Sequence, residues 1–312
     1  MLNPAKFILI DANNMCHRLW WGGMSSSSPT ASGGQFTDIV PPFFESVFKL
    51  KEKYQDHLPI IVWDGGKARR KAEASDAVEK GIVPSGYKEN REENLDLEPL
   101  YEQMDQIREE CFKGFRVLQV KVAGFEADDA IYTYSQIAEK NAGSAIIVSS
   151  DKDFYQCIGD HVSVLHPGSA SREEVLMTKD RFEEEFSMSP DMWINVMALC
   201  GKRSDNIFGV DGWGPKTSIA HVVEHGGIDQ IVSAIGEKVA SLTGSKKPLK
   251  RDASILEQKD RLKLAMSLQK MDFIEDIPEP VVDDDVSPSH IKKSLMRWGC
   301  LSLSKKAHLL SV

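Results

Sequence analysis

The run Phe7-Ile8-Leu9-Ile10, followed directly by Asp11, sets a pattern that recurs through the first half of the chain. Stretches with helical spacing separate this run from the later ones. Alternating strands and helices are typical of a mostly parallel sheet covered by helices, so the sequence predicts an α/β fold. The other short runs of β-forming residues are Ile60–Trp63, Val117–Val122, Ala145–Val148 and Val162–Leu165.

Several of the predicted strands are followed by an acidic residue. Asp11 follows the first run, Asp64 follows the run that ends at Trp63, and Asp151 comes soon after Val148. Ligands of open α/β sheets gather at the carboxyl ends of the strands. We therefore expect these three side chains to converge on one edge of the sheet.

The densest group of acids is the stretch Gly124-Phe125-Glu126-Ala127-Asp128-Asp129, which begins an amphipathic helix. A structural role is one explanation, because acidic residues at a helix N-terminus interact favourably with the helix dipole and cap free N–H groups. Such capping explains one or two acids. Three carboxylates on one helical turn are more than capping requires.

Further acids extend this set, although each one alone could simply cap the next helix. Together they would place many negative charges in one crevice, which is unfavourable unless carboxylates are protonated or cations bind. Oxygen ligands at this density favour Mg²⁺ or Mn²⁺ over zinc, and the natural reaction class is metal-assisted phosphodiester hydrolysis. The candidate ligands are Asp11, Asp64, Glu126, Asp128, Asp129, Asp151, Asp153 and Asp205.

The composition indicates an ordinary globular protein. Its 312 residues, 41% of them hydrophobic, suffice for one large domain or two smaller ones. We see no secretion signal and no membrane-spanning run, and the five scattered cysteines form no CxxC pair, so we expect a cytoplasmic protein with reduced thiols. The formal net charge of −9 argues at first against a nucleic-acid partner, but basic residues can still be concentrated locally.

A change of pattern predicts a division of the chain near residue 170. Residues 1–170 carry the strands, whereas residues 171–312 are mainly helical and include a buried helix face at Asp191–Cys200. Two segments in the first part depart from its pattern. Gly22–Gly34 is rich in serine and glycine and predicts a mobile loop, and Gly65–Leu100 is a highly charged excursion.

In this order, the motifs resemble the 5′ nuclease or flap endonuclease family, which includes phage 5′-exonucleases and the N-terminal nuclease domain of bacterial DNA polymerase I. The resemblance covers about residues 6–230 and rests on the ordered set rather than on any single acid. The matching pieces are Ile8-Leu9-Ile10-Asp11, Val62-Trp63-Asp64-Gly65-Gly66, Tyr87-Lys88-Glu89-Asn90-Arg91, Gly124–Asp129, Asp151-Lys152-Asp153, Ser204-Asp205-Asn206-Ile207 and Gly209–Thr217.

The resemblance implies a PIN-like core that binds one or two divalent cations, Mg²⁺ or Mn²⁺. The first site would be formed, directly or through water, by Asp11, Asp64, Glu126, Asp128 and Asp129. The second site would be formed by Asp151, Asp153 and Asp205.

The resemblance also implies how a 5′ single strand would be held. A helical arch at about residues 66–100 would enclose it, and Lys88 and Arg91 would steady the scissile phosphate as catalytic residues. Cations and an aromatic ring on a polar segment suit backbone tracking combined with base stacking. The remaining DNA contacts in this segment would come from Tyr87, Arg69 and Arg70.

A helix-three-turn-helix at about residues 191–230 would hold duplex DNA by its backbone. Its glycines permit close approach of a phosphate, and Lys216 adds positive charge where the next helix begins. A potassium ion often lies at this turn in the family. The alternative is an ordinary turn between helices, and the basic loop Thr243–Arg251 either extends the grip or has no role. The glycines concerned are Gly209, Gly212 and Gly214.

One position departs from the family pattern. Where the family reads Gly-Asp-x-x-Asp before Asn-Ile, this chain reads Gly201-Lys202-Arg203-Ser204-Asp205, so Lys202 replaces an acid of the second site. An ammonium group removes a ligand and repels Mg²⁺. We expect either a weakened second site or an ion pair of Lys202 with Asp151 or Asp153 that replaces part of the cation's charge.

Three hypotheses follow. The first is a monomeric, metal-dependent and structure-specific 5′ nuclease, acting as a 5′–3′ exonuclease or flap endonuclease. Its substrates would be DNA with a 5′ flap, a 5′ overhang or a nick, and RNA–DNA hybrids, with no membrane partner. The second is a catalytically impaired flap-binding protein, suggested by Lys202. The third is an RNA-cutting relative, which would not need the glycine-rich turn. DNA replication, repair and phage DNA turnover all use this chemistry.

Overall fold

The computed structural model describes residues 5–23, 39–90, 97–168, 172–243, 246–280 and 286–311. The predicted mobile loop lies outside these residues from position 24 onward, and Arg91 lies outside them as well. In the described part of the chain, no helix is both long and apolar enough to cross a membrane.

The described residues form a central sheet in the order β3-β2-β1-β4-β5-β6. Strands β1 to β5 pair in parallel, and β6 pairs with β5 in the antiparallel sense. All five predicted runs are strands, so the predicted mostly parallel sheet is confirmed; the short edge strand β6 was not predicted. The strands are β1 (Lys6–Asp11), β2 (Leu58–Trp63), β3 (Leu118–Lys121), β4 (Ser144–Val148), β5 (Val162–His166) and β6 (Val175–Met177).

Helices cover both faces of this sheet and form most of the second half of the chain. A two-stranded hairpin lies between the helix that ends at Cys200 and the helix that begins at Pro215. Its strands are β7 (Gly201–Lys202) and β8 (Ile207–Phe208). The helices are α1 (Ala12–Gly23), α2 (Val40–Lys53), α3 (Ala68–Glu79), α4 (Glu98–Gln106), α5 (Ala127–Lys140), α6 (Lys179–Phe186), α7 (Trp193–Cys200), α8 (Pro215–His225), α9 (Ile228–Ala240), α10 (Lys250–Glu257), α11 (Lys259–Gln269) and α12 (Pro288–Arg297).

Alternate residues of β1 enter two different hydrophobic cores, because successive side chains of a strand point to opposite faces. Phe7 lies in the core that contains α5, where its ring meets Tyr134 edge-on with centroids 5.9 Å apart. Ile8 lies in the other core, together with Phe43 and Phe44 of α2. Full burial of such side chains stabilises the fold by roughly 1.5–3 kcal/mol each. The sheet that carries the strand-end acids is therefore held rigidly from both sides.

The two predicted regions of the chain share these cores. Helices α7 and α11 pack in the same core as α5, whereas α12 and the following 3₁₀ segment Leu301–Leu310 pack in the same core as α2 and α4. Helix α3, in the segment predicted as an arch, buries Arg70, Ala74 and Ala77. The domain limits and the arch at about residues 66–100 stay predictions.

Candidate active site

The carboxyl ends of the parallel strands bring the predicted acids to one edge of the sheet. Asp11 is the last residue of β1, and both of its oxygens are hydrogen-bonded. Oδ1 accepts from the backbone N–H of Asn14 at 3.0 Å, and Oδ2 accepts from the hydroxyl of Ser149 at 2.9 Å. These bonds come from the first turn of α1 and the loop after β4, so they fix the direction of the Asp11 carboxylate.

Asp64 connects the end of β2 to the start of α5. Its Oδ1 accepts the backbone N–H of Ala127 at 2.9 Å, and its own N–H donates to Asn13 at 3.1 Å. Asp64 is exposed, whereas Asp128, on the first turn of α5, is half-buried. The helix N-terminus thus orients one candidate ligand and carries another.

Four of the predicted acids repel one another electrostatically. Burial, and then the charges of Asp64 and Asp151, raise the pKa of Asp11 to about 7. Burial also raises the pKa of Asp128 well above its usual range, and the charges of Asp11, Asp151 and Asp64 add to this effect. Like charges in a partly desolvated crevice favour either protonation or a bound cation. We call Asp11, Asp64, Asp128 and Asp151 the acidic cluster.

The acidic cluster is an open one. Within the described ranges, only His221, Glu224 and His225 bring three possible ligand atoms of His, Cys, Asp or Glu within 4.8 Å of one another. No three carboxylates of the acidic cluster lie that close together. The cluster carboxylates are therefore spaced more widely than the ligands of a dehydrated metal. Mg²⁺ usually keeps several waters and uses only one or two carboxylates, so this spacing and the all-oxygen donor set fit a hydrated Mg²⁺ or Mn²⁺.

Lys202 lies among the three acids that were predicted to form the second site. Its ammonium nitrogen is 2.8 Å from Asp151 Oδ2, 2.6 Å from Asp153 Oδ2 and 3.3 Å from Asp205 Oδ2. The predicted ion pair of Lys202 with Asp151 or Asp153 is confirmed, and it extends to both residues and to Asp205. We call Lys202 and these three acids the lysine clasp.

Burial and neighbouring charges have opposite effects on the pKa values of the lysine clasp. Burial alone would lower the pKa of Lys202, but the charges of Asp153, Asp151 and Asp205 outweigh it and raise that pKa. Burial and then the charge of Asp151 raise the pKa of Asp153 to about 7, although Lys202 opposes this rise. The lysine therefore stays charged and neutralises part of the negative charge around it.

Arg70 forms ion pairs with two acids that were predicted to be ligands of the first metal site, Glu126 and Asp129. Its guanidinium donates to Asp129 at 2.7 and 2.8 Å and to Glu126 at 2.8 Å. Asp129 also accepts the backbone N–H groups of Glu126, at 3.2 Å, and Asp272, at 2.9 Å. Asp129 is 1% exposed, and its oxygens face these donors. Glu126 and Asp129 thus lie in a paired network beside the acidic cluster, and their roles as ligands stay predictions.

Three of the residues predicted to contact DNA have side chains that are paired within the protein. Arg70 is 4% exposed and Tyr87 is 6% exposed, so neither offers a surface to a phosphate or a base. The hydroxyl of Tyr87 donates to Glu126 at 3.0 Å, which uses its polar end within the protein. Arg69 is half-buried and pairs with Asp272 and with Glu73. These contacts place all three side chains in the framework of the site, and their DNA contacts stay predictions.

Lys88 lies where the acidic network meets the surface. Its ammonium group donates to Glu126 and is 4.8 Å from the centre of the Tyr87 ring. Its side chain is 10% exposed, and its backbone has a φ of 56°, the left-handed region that non-glycine residues seldom adopt. The backbone N–H of Lys88 donates to the carbonyl of Asp205 at 2.8 Å, which ties this turn to the lysine clasp. The predicted partner of Lys88, Arg91, lies outside the described residues.

The predicted glycine-rich turn connects the β7–β8 hairpin to α8. A Cβ atom on Gly209 would lie 2.3 Å from backbone atoms of Cys200 and Gly201, so this glycine is required by close packing. Gly212 has a φ of +85°, which favours glycine for a conformational reason. Gly214 has open space around it and directly precedes α8, where Lys216 is exposed. Gly209 and Gly212 therefore shape the turn, whereas Gly214 and Lys216 lie in the open at the start of α8; the DNA contacts of all four residues stay predictions.

The sequence interpretation missed three side chains that organise the acids, and it gave a fourth, Arg70, a different role. Asn13 and Asn14 accept hydrogen bonds that join the ends of β1, β2 and β4, and Ser149 binds Asp11. The two asparagines could have been noticed because they come directly after the strand-end acid. Arg70 could have been found from its spacing with Ala74 and Ala77, which places all three on one face of α3.

Two family models match consecutive parts of the chain. The model described as 5′-3′ exonuclease, N-terminal resolvase-like domain, matches residues 6–187, and the model described as 5′-3′ exonuclease, C-terminal SAM fold, matches residues 188–293. The first model alone covers more than half of the chain.

The relatives that are similar in sequence include DNA polymerase I proteins and a 5′-3′ exonuclease. The thermostable DNA polymerase I of Thermus filiformis is 29% identical over 230 residues, which are 73% of this chain and 25% of the polymerase. A 5′-3′ exonuclease of Halalkalibacterium halodurans is 26% identical over 242 residues, 75% of each chain. The chain thus spans about a quarter of the length of the polymerase relatives it matches.

Solved structures share the fold over nearly the whole chain. T5 5′-exonuclease with bound zinc ions aligns with 98% of this chain and 100% of its own, with a TM-score of 0.62 at 19% identity. The catalytic core of Rad2 in complex with DNA substrate aligns with 97% of this chain and 91% of its own, with a TM-score of 0.57 at 14% identity. At these identities the likeness shows the architecture of the chain.

Proposed function

The chain belongs to the 5′-3′ exonuclease family, and we propose that it is a divalent-metal-dependent, structure-specific nuclease that hydrolyses DNA phosphodiesters near 5′ ends, flaps or junctions. The observation that carries this proposal is the acidic cluster at the carboxyl ends of β1, β2 and β4. A set of mutually repelling carboxylates at the edge of a parallel sheet is suited to hold a cation and, through it, a phosphate.

The acidic cluster fits a bound Mg²⁺ or Mn²⁺. Asp11, Asp64 and Asp128 would hold the cation, with Asp151 contributing charge from the side of the lysine clasp. When bound, such a cation lowers the pKa of a coordinated water and neutralises charge on a phosphate. The fixed hydrogen bonds of Asp11 and Asp64 keep their carboxylates oriented without the cation, which reduces the cost of binding it.

Lys88 is proposed to act on the substrate. Its ammonium group is held by Glu126 at the rim of the acidic cluster, on the turn that also contacts Asp205. Glu126 keeps Arg70 and Tyr87 as partners if Lys88 turns toward a phosphate, so the move leaves no buried carboxylate unpaired. A cation placed there stabilises negative charge as it develops on the phosphate oxygens. Arg91, in the same motif, is proposed to share this task.

The helix α8 terminus is proposed to hold the duplex. Free N–H groups at the start of a helix attract phosphate, and Lys216 adds a charge one residue into the helix. The open space around Gly214 allows a backbone phosphate to approach closely. A potassium ion at this turn is a finer part of the proposal. The net charge of −9 is compatible with DNA binding because basic residues such as Lys216 can act locally on the phosphate backbone.

The substrates are proposed to be DNA with a 5′ flap, a 5′ overhang or a nick, and RNA–DNA hybrids. The test compares a 5′-labelled flap duplex with a single-stranded RNA of the same length, each with Mg²⁺ and with EDTA. Mg²⁺-dependent cleavage of the flap duplex with little cleavage of the RNA supports the proposal. Preferred cleavage of the RNA would contradict it and favour an RNA-cutting relative.

A second candidate function has one observation in its favour. The lysine clasp places a cation on three of the predicted metal ligands, so a protein that binds flaps without cutting them is the alternative. It predicts salt-sensitive binding to the flap duplex with no product in either Mg²⁺ or Mn²⁺. We favour the active nuclease, because the ion pairs of Lys202 are with Asp151, Asp153 and Asp205, which leaves Asp11, Asp64 and Asp128 to hold a cation.

A further inference from the structure

The lysine clasp resembles a metal site in which the ammonium group of Lys202 occupies the position of the cation. Three carboxylate oxygens, from Asp151, Asp153 and Asp205, lie 2.6 to 3.3 Å from a single ammonium nitrogen. An ammonium group has three N–H donors and one positive charge, so one lysine can serve three acceptors. The Lys202 side chain is 21% exposed, and this limits the screening of these contacts by solvent.

The backbone holds Lys202 in this position. The β7–β8 hairpin pairs Lys202 with Ile207, and Gly201, with a φ of +67°, lets the hairpin pack closely on Gly209. Asn206, in the hairpin turn, donates to the carbonyl of Gly86 at 2.6 Å. The hairpin is thus tied to the segment before Lys88, and the lysine has little freedom to leave the three acids.

A divalent cation and this ammonium group exclude each other. Mg²⁺ needs oxygens at about 2.0–2.1 Å in a nearly octahedral shell, and such a cation between Asp151 and Asp153 would fall on the Lys202 nitrogen or directly against it. The positive charges of the ammonium group and of a divalent cation would also repel each other strongly at this short distance, in a region partly shielded from water. The residues at the predicted second metal site therefore do not fit a second metal.

We propose that this chain binds one divalent cation, at the acidic cluster, and that the ammonium group of Lys202 permanently takes the place of a second one. The inference rests on the proposed function, because it specifies the cation content of the same site. Lys202 is a positioning residue in this account. Asp151 belongs to both the acidic cluster and the lysine clasp, so the lysine also fixes one wall of the cation site.

The test counts bound Mn²⁺ per folded chain by electron paramagnetic resonance, with no DNA and no turnover. Wild type, Lys202→Asp and the control Lys263→Asp are compared. Lys263 has a side chain that is 81% exposed, so its replacement makes the same change of charge away from the site. We expect one Mn²⁺ for wild type and for the control, and two for Lys202→Asp.

Each outcome decides the inference. Two Mn²⁺ of similar affinity in wild type would overturn it and leave the proposed nuclease function standing. No bound Mn²⁺ in wild type would overturn the cation site and the inference together. If Lys202→Asp does not fold, as judged by circular dichroism, Lys202→Gln replaces it, and the wild-type count still decides. Flap cleavage is measured separately, so a folded wild type that binds one Mn²⁺ and cuts no DNA would refute the function but not the cation count.

Discussion

The guanidinium of Arg70 and the carboxylate of Asp129 are joined by two hydrogen bonds, of 2.7 and 2.8 Å, at the start of α5. The side chains are 5% and 2% exposed, respectively, so the pair is shielded from water. A buried ion pair is costly to break from one side, because the remaining charge has lost its partner. The pair thus links α3 to the helix that carries Asp128.

We expect Arg70→Met to lower the free energy of unfolding by about 3–5 kcal/mol, because it leaves Asp129 and Glu126 buried without their cation. Urea denaturation without metal measures this change. The control is Arg69→Met, at the neighbouring position, whose half-exposed ion pairs predict a loss of about 1 kcal/mol or less. Equal losses for the two variants would contradict the structural role of Arg70.

The strand ends show how much of this site can be predicted from sequence. The runs before Asp11, Asp64 and Asp151 are short and apolar, and a parallel sheet has only one edge where their carboxyl ends can meet. Their convergence thus follows from local pattern and a general rule of fold. The pairing of Lys202 could also be anticipated, because an ammonium group inserted among acids has few other favourable partners.

The remaining details depend on packing between distant parts of the chain. Arg70 and Tyr87 lie in charged stretches that look exposed, yet α11 and the Leu268–Asp272 segment cover this side of the site. The hairpin strands β7 and β8 have two residues each, too few to give a period-two pattern. These long-range contacts decide which acids belong to the acidic cluster and which pair with Lys202 or Arg70.

The pKa values predict how metal binding depends on pH. The pKa of Asp11 in the folded chain is raised to about 7, so its charged form destabilises the fold, and stability without metal falls as pH rises from about 4 through 7. A bound cation relieves this repulsion, whereas protons compete with it at lower pH. We expect the rise in Tm caused by Mg²⁺ to be larger at pH 8 than at pH 6, measured by calorimetry at constant ionic strength.

An equal or larger rise at pH 6 would count against binding of Mg²⁺ by the acidic cluster. Asp128→Asn is the matched variant for this experiment. It keeps the shape of the side chain and removes one repelling charge, so we expect a more stable metal-free protein at pH 8 and a smaller Mg²⁺ effect.

Lys88→Ala is expected to lower kcat on a flap duplex by about a hundredfold while leaving the Kd for the DNA within a few-fold of wild type, because its charge acts on the reacting phosphate. Single-turnover cleavage and fluorescence anisotropy measure the two quantities. Lys80→Ala is the control, since Lys80 lies on the same segment but pairs with Asp76 at the surface. A parallel loss of binding and cleavage would instead assign Lys88 to substrate binding.

Lys216→Ala is expected to weaken binding of duplex DNA and to reduce the slope of log Kd against log salt concentration by about one, because one phosphate contact is lost. Anisotropy at several salt concentrations measures both changes. Lys306→Ala serves as the control, because Lys306 pairs with Glu52 of α2 on the other side of the sheet from α8. An unchanged slope for Lys216→Ala would show that the start of α8 does not contact the DNA backbone.

The most direct test of the nuclease assignment is cleavage of a 5′-labelled flap duplex by wild type and by Asp128→Asn, titrated with Mg²⁺ and with Mn²⁺. We predict metal-dependent cleavage near the junction by wild type and a loss of at least about a hundredfold in Asp128→Asn, equivalent to roughly 2.7 kcal/mol of transition-state stabilisation. Tight binding of the flap with no product by wild type at any concentration of either metal would contradict the account.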